Sequence, residues 1–153
     1  MNSIADRLTE LGLTLPELAK PAGAYVPAVV TGNLVYTAGQ LPWVDGVLPA
    51  TGKVGTEVSA DEAHQLSRAC VLNGLAAIEG AIGSLDRVTR IVKLVGFVAS
   101  DTGFTGQPGV MNGASELLGE IFGDVGQHAR SAVGVAVLPL DAPVEVELIV
   151  EVA

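Results

Sequence analysis

The amino-acid sequence predicts an α+β fold: one mixed, mostly antiparallel sheet with two helices packed on one face, plus a short N-terminal helix. Three observations support this prediction. Helical and strand patterns follow one another in the order β-β-α-β-α-β-β. Residues 144–152 alternate between apolar and mainly acidic side chains, as in a strand with one buried face. The 153 residues suit a single domain that buries a sizeable core.

The first predicted elements are the short helix and a β-hairpin. The helix spans residues 3–11, with Ser3 as its capping residue and Gly12 as its stop. Prolines then interrupt the pattern before residues 33–37, whose β-branched and aromatic side chains predict a strand. A turn directly before this strand pairs it with residues 29–30, so the two segments form a hairpin.

Two longer helices are predicted further along the chain. The first spans residues 59–82, where Ser59 is the N-cap and Glu62, three residues later, completes a capping box. A loop rich in glycine follows over residues 103–109. The second helix is predicted over residues 110–122, which carry apolar side chains at helical spacing. Both helices are long enough to cover one face of a sheet.

Three further strands are predicted over residues 88–98, 130–138 and 144–152. The last strand places its valines and its leucine under the helices and its glutamates on the opposite face. Residues 130–138 are apolar on both faces, which predicts burial on both faces. Since the two helices cover one face only, we expect a second subunit over the other. The turn at residues 139–143 predicts that the last two strands are antiparallel neighbours.

Composition and charge exclude several classes of protein. With 8 Lys and Arg against 17 Asp and Glu, the net charge is −9, so the chain lacks the basic surface of a nucleic-acid or lipid-surface binder. A hydrophobic fraction of 49% excludes disorder, and no stretch of ~18 residues is apolar enough to span a membrane. The single cysteine favours a reducing, cytoplasmic location. The apolar excess predicts a homo-oligomer.

Isolated histidines and the lone cysteine give no signature of metal binding. No metal-ligand spacing surrounds them, and we predict neither a metal nor a cofactor. We interpret His64 as a solvated helix side chain and Cys70 as a buried structural residue. His128 lies close to Arg130, so it is either structural or borders a pocket together with that arginine.

Arg130 and Glu145 are the two residues that fit a purely structural account least well. Arg130 begins a strand of small apolar residues, and its planar guanidinium suits a carboxylate ligand. Glu145 is the first charge of the terminal strand, directly after a tight turn. Two interpretations stay open. The pair forms a structural salt bridge, or, with an offset strand register, both residues contribute to a binding site at one end of the sheet.

Several short segments stand in a distinctive order along the chain: GAY at 23–25, GNLVYTAGQLP at 32–42, SLDRV at 84–88, ARS at 129–131 and VEVE at 144–147. In order and spacing they resemble the Rid (YjgF-like) family of reactive-intermediate imine deaminases. The resemblance covers about residues 20–153 and leaves residues 1–20 as an N-terminal extension of a single domain over 1–153. It implies a chorismate-mutase-like fold and a homotrimer with a ligand cleft at each subunit boundary.

The resemblance also implies roles for five residues. Arg130 matches the family's carboxylate-binding arginine, and Glu145 matches its pocket glutamate, which helps to place the attacking water. Tyr25 matches the tyrosine of the family's Gly-Pro-Tyr segment, and Gly39 lies in its Ser-Gly-Gln segment. Backbone groups near Gly39 and Ala132 would hold the leaving nitrogen. Arg130 and Glu145 are thus the expected catalytic residues, and Tyr25, Gly39 and Ala132 join Arg130 in binding substrate.

The chain departs from the family pattern at several of these positions. Ala24 and Ala38 stand where the family usually has proline and serine, and Ala132 stands where cysteine is frequent. The loop before Asn112 is longer than in the short enzymes. The carboxylate anchor is therefore kept while a pocket hydroxyl is lost, which indicates a longer, divergent branch.

Two main functions stay open on these grounds. The first is hydrolysis of a small 2-imino or enamine acid to a 2-keto acid and ammonia, which needs no cofactor because an imine is already electrophilic. The second is a non-catalytic trimer that captures small carboxylates for storage, sensing or regulation; an interaction or scaffold role is a third. Ribonuclease activity, also attributed to the family, is disfavoured because a net charge of −9 repels the phosphate backbone.

Overall fold

The computed structural model describes residues 2–18, 20–21 and 23–153. Its helices are α1 (Ile4–Glu10), α2 (Ala60–Ile82) and α3 (Gln107–Phe122). Its strands are β1 (Ala28–Thr31), β2 (Leu34–Thr37), β3 (Val88–Ala99), β4 (Ala129–Val135) and β5 (Val144–Val152). The predicted order of elements is confirmed, and β5 has its predicted bounds.

The five strands form one sheet in the order β1-β2-β5-β3-β4. All neighbours are antiparallel except β3 and β4, which run parallel. The strand that alternates most regularly, β5, lies at the centre, and every second residue from Val144 to Val152 is buried. The fold is therefore α+β with one mixed, mostly antiparallel sheet, as the sequence predicts.

The hydrophobic core lies between the helices and the face of the sheet that they cover. Leu75 and Ile78 of α2, Leu117 of α3, Leu94 of β3 and Leu148 of β5 are all fully or almost fully buried. Side chains of this size each contribute roughly 1.5–3 kcal/mol to stability when they are removed from water. The opposite face of the sheet has no helix over it in the described part of the chain, and Glu145 and Glu147 lie there, partly buried.

Local capping explains where the helices begin and end. The Ser3 hydroxyl accepts a hydrogen bond from the Asp6 N–H at 3.0 Å, and the Asp6 carboxylate accepts one from the Ser3 N–H at 3.1 Å. The Ser59 hydroxyl accepts from the Glu62 N–H at 3.1 Å and so caps α2. Helix α2 is capped at its C-terminal end by Gly83, whose φ of +89° lies in a region that residues with a Cβ rarely adopt. The two N-caps and the glycine stop agree with the sequence-based predictions. The capping box predicted for Ser59 and Glu62 is only half present, and the complete box is found at Ser3 and Asp6.

Two predicted bounds are wrong by three residues each. Helix α3 begins at Gln107 and not at 110, because Pro108 occupies its first turn, where a missing N–H costs nothing. The Gln107 side chain also donates to the Phe104 carbonyl at 2.8 Å and ties the start of the helix to the preceding loop. Strand β4 ends at Val135 and not at 138. It is an edge strand, so neither of its faces is fully covered within one chain.

The predicted pairing of the last two strands is also wrong, because β3 lies between β4 and β5. The connection through α3 is long enough to bring β4 back parallel to β3. The chain after β4 then crosses the end of β3. There the Ser100 N–H donates to the Val135 carbonyl at 3.0 Å, and the Ala99 N–H donates to the Pro143 carbonyl at 2.9 Å. The sharp turn therefore joins two strands that are separated by a third.

Cys70 is fully buried in α2, as predicted, and burial raises the pKa of its thiol. His64 differs from its interpretation as a solvated side chain. It is partly buried, and its Nδ1 lies 2.8 Å from the Gly109 carbonyl, so it connects α2 to the first turn of α3. None of the helices in the described residues is both long and apolar enough to cross a membrane.

Candidate functional site

Arg130 lies on the edge strand β4, directly opposite Leu94 of β3. Its side chain is directed to the helix-covered face, where Nη1 donates to Asn112 Oδ1 at 2.8 Å and to Ser115 Oγ at 3.2 Å. Both partners lie on α3, one helical turn apart. The remaining guanidinium hydrogens are thus held in a fixed orientation by a rigid element, which is the arrangement that bidentate carboxylate recognition requires.

An open pocket of about 480 Å³ lies beside this guanidinium. It is lined by Ser115, Gly119, Gly126, Gln127, His128 and Arg130. The Nε2 of His128 lies 2.9 Å from Ser115 Oγ, and its Nδ1 lies 2.7 Å from the Gly126 carbonyl. Of the two interpretations of His128, the structure supports the one in which it borders a pocket with Arg130.

Glu145 occupies the start of β5 on the face of the sheet opposite the helices. It lines a separate cleft of about 300 Å³ together with Tyr25, Gly39, Trp43 and Leu140, among other residues. Among the described residues its carboxylate makes no hydrogen bond and no ion pair. Burial raises the pKa of the Glu145 carboxyl, and repulsion from Glu147 raises it further. A half-buried carboxylate with a raised pKa is suited to accept a proton from a bound water.

Gly39 is placed against Glu145 by a short backbone ladder. The Gln40 N–H donates to the Val146 carbonyl at 2.8 Å, and the Val146 N–H donates to the Gln40 carbonyl at 3.0 Å. A Cβ at position 39 would lie 2.8 Å from the Glu145 Cδ and would overlap the carboxylate oxygen Oε1. Glycine is therefore required for Glu145 to occupy its present position. Tyr25 is half exposed at the mouth of the same cleft.

The structure thus divides the expected site residues into two groups. Tyr25, Gly39 and Glu145 meet in one cleft, whereas Arg130 lies on β4 beside a second pocket. Ala132 lies two residues after Arg130 on the same face of β4, and packs against the core.

Arg130 and Glu145 do not meet within one chain. Across the sheet, Arg130 is in register with Leu148 of β5, and Glu145 is in register with Val133 of β4. The two residues are therefore two strands apart and are offset by three residues along the strand direction. Strand geometry converts this offset into a Cα separation of roughly 14 Å. The side chains also lie on opposite faces of the sheet. The interpretation of the pair as a salt bridge within the chain is therefore wrong.

Sequence reasoning missed Ser115 and gave Asn112 no role of its own. Both are polar residues in a helix otherwise built largely from small and apolar side chains, and they stand three positions apart. This spacing places them on one face of α3. The pattern was visible in the sequence, but it became informative only once the parallel pairing of β3 and β4 had placed Arg130 beneath that face.

Exposed apolar side chains flank both edges of the sheet. On the β1–β2 side of the sheet Val29, Val30 and Tyr36 are between 42% and 51% exposed. On the β4 side Val133 is 44% exposed, and Val137, just after β4, is 65% exposed. Exposed side chains of this size at both edges are typical of an interface with another subunit.

Comparison with protein families gives one match that spans residues 5–152. The family is described as "YjgF/chorismate_mutase-like, putative endoribonuclease". Among curated proteins the chain is 46% identical over 149 residues to protein TCP17 of Trypanosoma cruzi, covering 97% of this chain and 93% of the relative. It is 32% identical over 138 residues to the 2-iminobutanoate/2-iminopropanoate deaminase of Dermatophagoides farinae, covering 90% and 93%.

Solved structures with the same fold come from several bacteria. Protein Atu1372 of Agrobacterium tumefaciens superposes with a TM-score of 0.91 at 45% identity, covering 98% of this chain and 92% of that one. Escherichia coli TdcF, whose crystal structure contains bound serine, superposes with a TM-score of 0.61 at 28% identity, covering 91% and 94%.

Proposed function

Because the chain belongs to the YjgF/RutC family, we propose that it hydrolyses small 2-imino or enamine acids to 2-keto acids and ammonia. The observation that carries this proposal is the Glu145 carboxylate. It is half buried in a cleft and has no hydrogen-bond or ion-pair partner among the described residues, which is an arrangement that a purely structural glutamate would avoid.

The separation of Arg130 from Glu145 leads us to infer a homotrimer in which each site is built at a subunit boundary. Arg130 of one subunit would face Glu145 of the next, with the substrate between them. The exposed apolar residues at opposite edges of the sheet favour a contact between two different surfaces, which closes into a ring when it repeats around a three-fold axis. A second subunit would also cover β4, as its apolar sequence predicts.

Arg130 would bind the substrate carboxylate. Asn112 and Ser115 both engage Nη1, so Nη2 and Nε keep hydrogens for a bidentate contact with two carboxylate oxygens. The imine carbon, which is bonded to that carboxylate, would then be held close to Arg130. Tyr25 and Gly39 of the neighbouring cleft would border the substrate, and Ala132 would lie behind Arg130 on the core side.

Glu145 would act as the general base. As the water oxygen bonds to the carbon of a protonated imine, Glu145 takes a proton from that water and the C=N electron pair moves to nitrogen. The product of this step is a neutral carbinolamine. Its C–N bond then breaks, ammonia leaves, and the hydroxyl becomes the ketone of a 2-keto acid. The free Cys70 thiol favours a reducing, cytoplasmic setting for this chemistry.

Capture of small carboxylates without catalysis is the second candidate. The bound serine of the related TdcF structure and the absence of a hydroxyl at Ala38 favour it. Under this alternative Arg130 serves the same purpose, whereas Glu145 has no chemical task. The endoribonuclease activity in the family's description is less favoured, because the net charge of −9 repels a phosphate backbone.

Ammonia release distinguishes the two candidates. We expect the protein to accelerate ammonia release from 2-aminoacrylate or 2-iminobutanoate generated in the assay, well above the rate without protein. Light scattering of the same sample should give about three times 15.5 kDa. An assembled trimer that binds 2-oxobutyrate but leaves the rate of ammonia release unchanged would support the binding alternative. A stable monomer would contradict both the assembly and the shared cleft.

A further inference from the structure

A continuous chain of hydrogen bonds leads away from the carboxylate anchor. Arg130 Nη1 lies 3.2 Å from Ser115 Oγ, which lies 2.9 Å from His128 Nε2. The opposite ring nitrogen, Nδ1, lies 2.7 Å from the Gly126 carbonyl. Ser115 and His128 line the pocket that contains Arg130. The mechanism given above uses Ser115 only to hold Arg130 and gives His128 no task.

The direction of each bond follows from groups that can only donate or only accept. A guanidinium has no acceptor atom, so Arg130 donates to the Ser115 oxygen. A peptide carbonyl has no hydrogen, so His128 Nδ1 must carry the hydrogen that it shares with Gly126. Neutral His128 therefore presents an unprotonated Nε2, and the Ser115 hydroxyl donates to it. This is the arrangement of a hydroxyl held by an oriented base.

Protonation of His128 exchanges the donor and the acceptor in its hydrogen bond with Ser115. With hydrogens on both ring nitrogens, Nε2 donates to Ser115 Oγ, which also accepts from Arg130. The hydrogen of the Ser115 hydroxyl is then released from His128 and can point into the pocket. A molecule whose carboxylate is bound by Arg130 would lie beside that hydrogen.

We propose that Ser115 is a catalytic residue that passes a proton from His128 to the leaving nitrogen of a substrate held by Arg130. The proposal rests on the proposed imine hydrolysis and adds the proton donor that this reaction needs. It also gives the site an aliphatic hydroxyl on α3, which the alanine at position 38 does not provide.

The proton is required when the carbinolamine collapses. The C–N bond breaks and its electron pair leaves with nitrogen, which takes the hydrogen of the Ser115 hydroxyl. The Ser115 oxygen takes the Nε2 hydrogen of His128 at the same time. The electron pair of the carbinolamine O–H forms the ketone, and that proton passes to water. Neutral His128 then regains a proton from solvent, to which its partly exposed ring has access.

The carboxylates nearest to His128 in sequence and on α3 pair with other residues or face solvent. Arg130 is the one charged side chain among the described residues that line the pocket. On α3, Glu116 lies 3.9 Å from the Nε2 of His64, and Glu120 pairs with Arg68. Asp124 is exposed to solvent in a short 3-10 helix, Gly123–Gly126, which precedes His128. The proton on Nε2 is therefore shared with Ser115 and not with a carboxylate.

The test compares Ser115→Ala, Ser115→Thr and His128→Asn with the wild-type trimer. Removal of the hydroxyl should lower kcat/KM for imine hydrolysis about ten-fold, since a water can partly replace it. The Thr variant keeps a hydroxyl and should recover most of the rate. In His128→Asn the pH profile should lose one ionisation. In both Ser115→Ala and His128→Asn the affinity for 2-oxobutyrate should change little, because Asn112 still holds Arg130.

His64→Asn is the matched control. His64 also bonds a backbone carbonyl through Nδ1 and also joins a helix to another element, but it lies outside both pockets. Its replacement should leave the pH profile unchanged. Since the chain has 2 histidines, nitrogen NMR resolves both rings, and His128 should show the tautomer with hydrogen on Nδ1.

The outcomes separate this proposal from the proposed function. If the wild type is active and both Ser115→Ala and His128→Asn keep its rate, the relay alone is overturned. A nitrogen NMR spectrum that places the hydrogen of neutral His128 on Nε2 would also overturn the relay. A wild type without imine hydrolysis would overturn the proposed function and the relay together. If Ser115→Ala fails to fold, a Thr variant that folds but stays inactive also contradicts the proposal.

Discussion

Replacement of Glu145 by Gln is expected to lower imine hydrolysis by about 10²–10⁴-fold, the usual contribution of a positioned general base. The amide has the same shape and still fits against Gly39, but it cannot accept the proton of the attacking water. Binding of 2-oxobutyrate should change little, because that ligand is held by its carboxylate at Arg130. Ammonia release and calorimetric titration measure the two effects separately.

Activity should also depend on pH through Glu145. The base must be ionised, and burial raises the pKa of the Glu145 carboxyl above its ordinary value of 4.5. The rate should therefore fall as the pH is lowered through this raised pKa. Glu147→Gln is the matched control on the same sheet face, since it leaves the burial of Glu145 in place and removes the repulsion that raises its pKa further. That variant should stay active and lose its rate only at lower pH.

As the pH rises, the contribution of Glu145 to folding stability should fall while its contribution to activity rises. Because its pKa is raised in the folded state, Glu145 contributes stability that is fully present below pH 4.5 and is lost as the pH rises through the raised pKa. Glu145→Gln is neutral at every pH, so its Tm should exceed that of the wild type at pH 8, and the difference should vanish at pH 4. A lower Tm at pH 8 would show that Glu145 is a structural residue.

Arg130→Lys is expected to weaken binding of 2-oxobutyrate by about ten-fold to a hundred-fold. Lysine keeps the charge but loses the planar fork, and one charge-assisted hydrogen bond contributes on the order of 1.5–3 kcal/mol. The Tm should move little, because the contacts of Arg130 with Asn112 and Ser115 lie at an exposed edge. Calorimetric titration and a melting curve for each variant give both quantities.

Arg90→Lys on β3 serves as the control for a general effect of replacing arginine. Arg90 is exposed and lies opposite Glu151, far along the strand from Leu94 and Arg130. Its variant should bind 2-oxobutyrate like the wild type. Unchanged 2-oxobutyrate affinity in a destabilised Arg130→Ala protein would mean that Arg130 fastens β4 to α3 and holds no ligand. The deaminase proposal would then lose its anchor.

The order of the elements could be predicted because local physics decides it. The hydroxyls of Ser3 and Ser59 cap helices whatever the rest of the chain does, and the alternation along β5 is a property of nine consecutive residues. The start of α3 was predicted three residues too late because glycines near Pro108 resemble a loop until the helix is seen to begin on the proline.

The arrangement of the site could not be predicted from local patterns. A turn such as the one over residues 139–143 indicates that the chain reverses, but not which strand lies beside the next. Strand β3 takes the position between β4 and β5 because it can pair with both, and this choice depends on contacts across the whole sheet. The same choice separates Arg130 from Glu145 and brings Arg130 to Ser115 and His128.

The position of Arg130 and Glu145 on opposite faces of the sheet has a genetic consequence. If each site takes its arginine from one subunit and its glutamate from the next, two inactive alleles of the gene should complement each other in one cell. Random trimers of Arg130→Ala and Glu145→Gln subunits would contain an intact site at about one quarter of their boundaries. Co-expression should therefore restore about one quarter of the wild-type activity, whereas the two purified variants mixed without subunit exchange should restore none.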